Sequence, residues 1–192
     1  MKLPLEFYLR NDVVEVSQDL LGKILCSNQN GRITKAIITE TEAYAGIDDK
    51  ASHAYGGRRT NRTEPLFGQG GTAYIYLCYG IHHLFNVVVG DVHVPLAILI
   101  RAAEPIEGID IMRQRRNKPG TGKILLAGPG TLSQALGITT ELTGASLLED
   151  RIWIEDQQIP VRQQAIRVGP RIGIDYAGED AMRPYRFRIT AT

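Results

Sequence analysis

The sequence predicts an α+β fold: a single compact domain spanning residues 1–192, built on a curved, mainly antiparallel β-sheet with a few short helices. Three observations predict it. Strand-like segments outnumber helical ones. They lie in consecutive runs instead of alternating with helices, the order expected of an α+β chain. No repeat, low-complexity linker or break in composition divides the chain, which is long enough for one substantial core.

Each element has a local reason. Residues 11–21 (NDVVEVSQDLL) read as a short helix with Asn11 as N-cap and Gly22 placed to end it. KILCS (23–27) reads as a strand, NQNG (28–31) as a turn, and RITKAIITETEAY (32–44) as a long returning strand. AYIYLCY and HLFNVVV flank Gly80 as a hairpin, and VPLAILIRA is apolar enough for a central strand. EPIEGIDIMRQRR predicts a helix with Pro105 in its first turn, and TLSQAL a short helix ending at Gly137. RIWIED, QAIRV and YRFRIT are short strands between Gly and Pro turns.

With 43% hydrophobic and 22% charged residues, the composition is that of a soluble globular protein. No apolar run is long enough to span a membrane, and the segment MKLPLEFYLR lacks the apolar core of a secretory signal, so a cytoplasmic setting without a membrane partner is expected. Two cysteines, Cys26 and Cys78, cannot build a disulfide framework and are expected to be buried thiols. A net charge of +1 does not announce a nucleic-acid binder, so such a case must rest on where the charges sit.

The chemistry concentrates between Glu40 and Arg101. In an extended strand alternate side chains share a face, so Glu40, Glu42 and Tyr44 point the same way. A carboxylate there can act as general base; the bland alternative is a solvated strand face, and periodicity does not choose between Glu40 and Glu42. Arg101 lies on the face opposite Leu96, Ile98 and Ile100. As a cation at the edge of the core it needs an anionic partner: Glu42, or else Glu104 if it is merely exposed. Tyr74 and Tyr76 share one face of their strand, while Tyr79 adjoins Gly80 and belongs at the hairpin tip, where an exposed ring can wedge into a groove; packing in the core is the commoner fate of such rings. His53 can stack or donate, and with no HxxxH or HExxH pattern a metal site is not expected. Arg58, Arg59 and Arg62 form one basic cluster, and Arg113, Arg115, Arg116, Lys118 and Lys123 a second, either to hold phosphates or simply to solvate a helix end. The glycines of LAGPGTLSQAL precede a helix N-terminus that could receive a phosphate, a weak signal taken alone. Together, a carboxylate, electron-rich rings and arginines suit a flat, electron-poor ligand on a polyanion, such as a damaged base in DNA.

The elements ETEAY, His53, GGRRTNRTEPLF, GTAYIYLCYG, Asn86, LIRAAEPIEG, GPGTLSQALGI and GPRIGIDYAGEDAMRPYRF, in this order, resemble the alkyladenine (3-methyladenine) DNA glycosylase family over nearly the whole chain. The resemblance implies a compact α+β domain, monomeric and without metal or cofactor, acting on double-stranded DNA that contains damaged purines. It implies that Glu42 activates water and Arg101 helps hold it. It implies that Tyr44, His53 and Tyr76 enclose the extruded base, that Asn86 excludes normal guanine, and that Tyr79 fills the gap in the duplex; the cluster Arg58, Arg59 and Arg62, read from its charge, is expected to meet the DNA backbone. The tract Ile81–Phe85 and the loop FGQGG depart from the family's pattern. A lysine nucleophile would add strand cleavage, but no lysine occurs between Ala51 and Asn117, so a monofunctional enzyme is expected. The competing readings are a glycoside hydrolase using Glu40 and Glu42, and a catalytically silent nucleic-acid-binding module.

Overall fold

In the computed structural model, which describes residues 1–117 and 125–190, eight strands pair antiparallel into one curled sheet. In chain order they are β1 (Ile24–Gln29), β2 (Arg32–Tyr44), β3 (Thr72–Cys78), β4 (His82–Val89), β5 (Leu96–Glu107), β6 (Ile152–Glu155), β7 (Ile166–Gly169) and β8 (Arg186–Ile189). The spatial order is β3-β4-β5-β2-β1-β6, with β8 also pairing to β2 and β7 to β8. Among the described residues it is accompanied by the helices α1 (Leu5–Tyr8), α2 (Val13–Asp19), α3 (Ile109–Arg116) and α4 (Pro129–Leu136). The expected α+β architecture is the observed one.

The two faces of the sheet have different tasks. Phe85, Val87 and Val89 on β4, with Ile98 and Ile100 on β5, are buried in the main core together with Val16 of α2, Met112 of α3 and Leu132 of α4. The alternate residues Asn86, Ala97, Leu99 and Arg101 face the other side, where the loops spanning 45–68 and 171–182 enclose a cavity. The period-two pattern of a strand thus sends one set of side chains to stability and the other to the site.

Curvature comes from β2. Its pairing with β5 shifts at Lys35/Ala36 and again on both sides of Glu40. Such irregularities bend a strand and re-aim its side chains. At the second, Glu40 faces Ala102 and Thr41 faces Ile100, so the pairing steps over Arg101. Arg101 lies beside the two glutamates for that reason.

Several local expectations are corrected. Asp12, and not Asn11, caps α2, accepting the Glu15 amide, while Asn11 bonds Asp91. Pro105 lies in β5, paired with Ala36, and α3 begins only at Ile109. The register shift at Lys35/Ala36 accommodates a residue with no N–H to donate, and long-range pairing outweighs the local helix-start signal. Helix α4 begins at Pro129, two residues ahead of the expected TLSQAL. Cys26 is buried, but Cys78 is only half-buried and lines the cavity.

Candidate active site

The site rests on a carboxylate that the fold removes from water. Glu42 of β2 is fully buried, with its side chain 0% exposed. Its Oε1 accepts the Ile172 amide at 2.8 Å, and its Oε2 accepts the Tyr44 hydroxyl at 3.0 Å and Arg101 Nη1 at 3.3 Å. Protein donors thus take three of the roughly four accepting positions of the carboxylate, leaving one on Oε1. Burial pushes this carboxyl above its ordinary value; Arg101, the Ile172 amide and the Tyr44 hydroxyl oppose that push without overcoming it. Glu40, more open, accepts Arg101 Nε at 3.1 Å and Arg186 Nε at 2.6 Å. Arg101 therefore bridges both glutamates. The expected Glu42 partner is present, and the alternative Glu104 is not used.

Glu42 does not itself form the cavity wall. Its three donors, Tyr44, Arg101 and Ile172, do, so the carboxylate lies one layer behind a cavity of about 560 Å³. Opposite stand His53, Tyr74 and Tyr76. The His53 ring meets Tyr76 edge-on, centroids 4.6 Å apart, and its Nδ1 pairs with the Tyr74 hydroxyl at 2.9 Å. Burial lowers the His53 pKa to about 4, with the nearby Arg62 and Arg58 charges adding to it, so the ring is neutral near pH 7. Asn86 is buried at the floor, its amide nitrogen donating to the carbonyls of Tyr74 and Leu84 at 3.2 Å each. Both donors are used by its own hairpin, which orients the amide with its oxygen turned away from those carbonyls.

Tyr79 lies at the tip of the β3–β4 hairpin, 90% exposed. Tyr79 and Gly80 both adopt left-handed backbone, φ 51° and 73°, and the turn closes with the Ile81 amide on the Cys78 carbonyl. Both positions of such a turn favour Gly, Asn or Asp. Holding a tyrosine there costs on the order of 1 kcal/mol, which marks the tip as a place where local stability has been given up. Ile81 beside it is also exposed. His82 packs against the start of α4, where a Cβ on Gly130 would come within 2.9 Å of the imidazole, and His83 accepts the Thr140 amide. The tract that departs from the family pattern is thus a brace between the hairpin and α4.

The arginines divide. Arg62 lies over the Tyr76 ring, its guanidinium carbon 5.3 Å from the centroid, and lines the cavity. Arg58, Arg62 and Lys50 line an adjoining cleft of about 470 Å³ with Tyr55 and Tyr176. Arg59 is not part of either: it forms a fork on Glu64, at 2.7 and 2.6 Å, and covers Phe67. Of the second basic cluster, the described arginines do not all face outward. Arg115 turns inward to the Ala135 carbonyl and against Gly137, and Arg113 pairs with Asp110; Lys118 and Lys123 fall outside the described residues. The weak phosphate signal at α4 meets the same brace: the His82 ring sits on Gly130 in the helix's first turn.

Sequence reasoning left three contributions unassigned. Tyr74, placed beside Tyr76 by parity, holds His53. Ile172 binds Glu42 through its backbone amide, so no side-chain pattern could have disclosed it. Arg171 is wholly buried, paired with Asp49 through the two terminal guanidinium nitrogens, and its guanidinium carbon lies 4.7 Å from the Tyr44 ring centroid. The only signal for Arg171 was its place in GPRIGID, and none pointed to Asp49 as its partner.

Among the described residues, no three His, Cys, Asp or Glu side chains gather as a metal would require, and no helix is long and apolar enough to cross a membrane.

The model of the methylpurine-DNA glycosylase (MPG) family matches residues 6–192. A protein of Chlamydia felis (strain Fe/C-56) named "Putative 3-methyladenine DNA glycosylase" is 48% identical over 188 residues, covering 97% of this chain and 95% of its own length. Proteins carrying the same name in Bacillus cereus (strain AH187), 48% identical over 195 residues, and Chlamydia abortus (strain DSM 27085 / S26/3), 47% identical over 190, cover 97% of this chain and 95% and 97% of themselves.

Proposed function

The chain belongs to the methylpurine-DNA glycosylase family, hydrolases of the N-glycosidic bond in DNA, and from that premise we propose that it acts on duplex DNA as a monofunctional base-flipping enzyme, the whole chain working as one domain. The observation that carries the reading is the buried Glu42, whose three donors form one wall of a cavity faced by aromatic rings.

A purine inside the stack is out of reach, so the nucleotide rotates out at a cost of a few kcal/mol. Phosphate contacts from Lys50, Arg58 and Arg62 in the basic cleft offset that cost. Tyr79, on its exposed tip, enters the space left behind. The base stacks among Tyr44, His53 and Tyr76, with Asn86 testing its edge. A 3- or 7-alkylated purine carries positive charge, which electron-rich rings attract by about 0.5–2 kcal/mol and which makes it a good leaving group. The attacking water is the one held at the unclaimed accepting position of Glu42 Oε1. The C1′–N bond breaks, the electron pair leaves with the base, and the sugar becomes oxocarbenium-like. Glu42 stabilises that charge and takes the proton of the attacking water. A carboxyl held above its ordinary value is a stronger base than an exposed glutamate, and Arg101, bridging Glu40 and Glu42, keeps it oriented.

Release of free base from duplexes each carrying one lesion tests the reading, with Glu42→Gln as control. Loss of release with lesion affinity retained is expected, and unchanged release by Glu42→Gln would remove Glu42 from the mechanism. Tyr79→Ser is expected to lower release from duplex about tenfold while sparing single strands, the size of effect expected of one lost stacking contact. A borohydride-trapped protein–DNA adduct would contradict the monofunctional assignment.

A further inference from the structure

We infer that Arg62 is a specificity-determining residue that favours release of neutral damaged purines over cationic ones. The inference rests on the reading of the cavity as the base pocket.

Arg62 stands at a junction. It lines both the base cavity and the basic cleft, together with Ser52, His53 and Tyr176. Its guanidinium is stacked over Tyr76, one of the rings on which the base would lie. Its neighbour Arg59 is neutralised by a fork on Glu64, whereas Arg62 has no carboxylate partner among the described residues. Full positive charge is therefore presented at the mouth of an aromatic pocket. Its field reaches inside: after burial, Arg62 is the largest influence holding His53 neutral.

Two consequences follow from that placement. An electron-rich ring that already faces one cation gives less to a second, and two like charges near one ring repel. The attraction of the pocket for a 7-methylguanine cation is thereby reduced. A neutral base such as hypoxanthine or ethenoadenine meets no repulsion and gains a donor. The guanidinium carries five N–H groups in a rigid fork, does not deprotonate, and can donate to a purine ring nitrogen or carbonyl oxygen. When the C1′–N bond of a neutral base breaks, the electron pair leaves with the purine as an anion. Arg62 stabilises that anion by hydrogen bonding while keeping its own proton, and the base is then protonated by solvent. His53, neutral, with Nδ1 engaged by Tyr74, is a poor source of that charge stabilisation. A cationic base departs as a neutral molecule and needs no such help.

The test is single-turnover release of hypoxanthine and of 7-methylguanine from otherwise identical duplexes, by the full chain and by Arg62→Leu and Arg62→Lys. The quantity read is the ratio of the two rates, in which a shared loss of DNA affinity cancels. Arg62→Leu is expected to lower the hypoxanthine-to-7-methylguanine ratio by at least about tenfold, the scale of one charged hydrogen bond. Arg62→Lys keeps the charge but not the fork and is expected to fall between. In Arg62→Leu the His53 titration, followed by NMR, is expected to rise from about 4 toward its ordinary 6.5. A ratio that stays put while both rates fall would make Arg62 a backbone anchor only and overturn the inference. So would an unmoved His53 titration, or a parent enzyme that releases 7-methylguanine but no neutral base. If Glu42→Gln releases both bases as the parent does, the base-pocket reading itself fails; if Glu42→Gln is inert and the ratio is unmoved, only the role of Arg62 falls.

Discussion

Two buried carboxylates on neighbouring stretches of chain, Glu42 and Asp49, each meet an arginine, and their fates are opposite. Asp49 and Arg171 are both wholly buried and joined through the two terminal guanidinium nitrogens, Nη1 and Nη2. The Ala45 and Ala51 amides complete the aspartate, and Arg171 also donates to the Ala43 and Asp180 carbonyls. Burial pushes this carboxyl up, but the Arg171 hydrogen bonds and the amides more than reverse it, and it is held below its ordinary value. Glu42 is likewise closed to solvent and lies deeper among protein atoms, and its arginine reaches it with only one nitrogen at 3.3 Å and is shared with Glu40, so burial prevails and the carboxyl is held above its ordinary value. The difference teaches that burial alone does not make a carboxylate reactive. A forked, unshared arginine holds the carboxyl below its ordinary value; a shared, single contact leaves it above, as the proposed role of a base requires.

The strongest way to break the comparison is Glu42→Gln. Losing a general base together with its electrostatic role is expected to slow base release about ten-thousandfold, or ~5.5 kcal/mol, measured in single-turnover assays. Stability should not fall with it. The raised carboxyl opposes folding at neutral pH, and that opposition is relieved only as pH drops through its folded pKa toward the ordinary 4.5. Glu42→Gln should therefore melt no lower than the parent at pH 7, and a clear drop would recast Glu42 as structural.

Asp49→Ala should do the reverse. It leaves Arg171 buried and unpaired and is expected to cost about 3–5 kcal/mol in denaturant unfolding. The sign of its pH dependence is also opposite. A lowered carboxyl contributes stability above its unfolded pKa, and that contribution is lost as pH falls through 3.8 toward the lower folded value, a loss the Asp49→Ala variant should not show.

A finer test is the acid limb of base release. It should lie above pH 4.5, following Glu42, while His53, at about 4, stays neutral across it. The smallest effect belongs to Glu40→Gln. Removing a like charge that raises the Glu42 pKa, and freeing Arg101 to pair with Glu42 alone, should move the acid limb to lower pH with only a few-fold change in rate, as expected of a partly solvated pair. An acid limb moving upward would break the electrostatic account of the pair.

Much of the site was legible because strands advertise themselves by parity. Glu40, Glu42 and Tyr44 on one face and Tyr74 with Tyr76 follow from a period of two, and Tyr79 at the tip follows from the turn glycine beside it; all are so arranged. Within the second basic cluster, Arg115 was not legible as an inward-facing residue, because a run of charge says nothing about depth: it bonds the Ala135 carbonyl. Pro105 misled because a helix-start signal is local, whereas its place in β5 is decided by pairing with Ala36, far away in the chain.

The sequence by itself determined the antiparallel sheet, the hairpin tip and the set of side chains able to act, because alternation and turn chemistry are properties of neighbours. Only the tertiary structure decided which carboxyl is held above its ordinary value and which below. That choice depends on groups brought from the other end of the chain, the Ile172 amide to Glu42, Arg186 to Glu40 and Arg171 to Asp49. The physical reason is that desolvation and hydrogen bonding act through space over a few ångströms, and no periodicity along the chain records them.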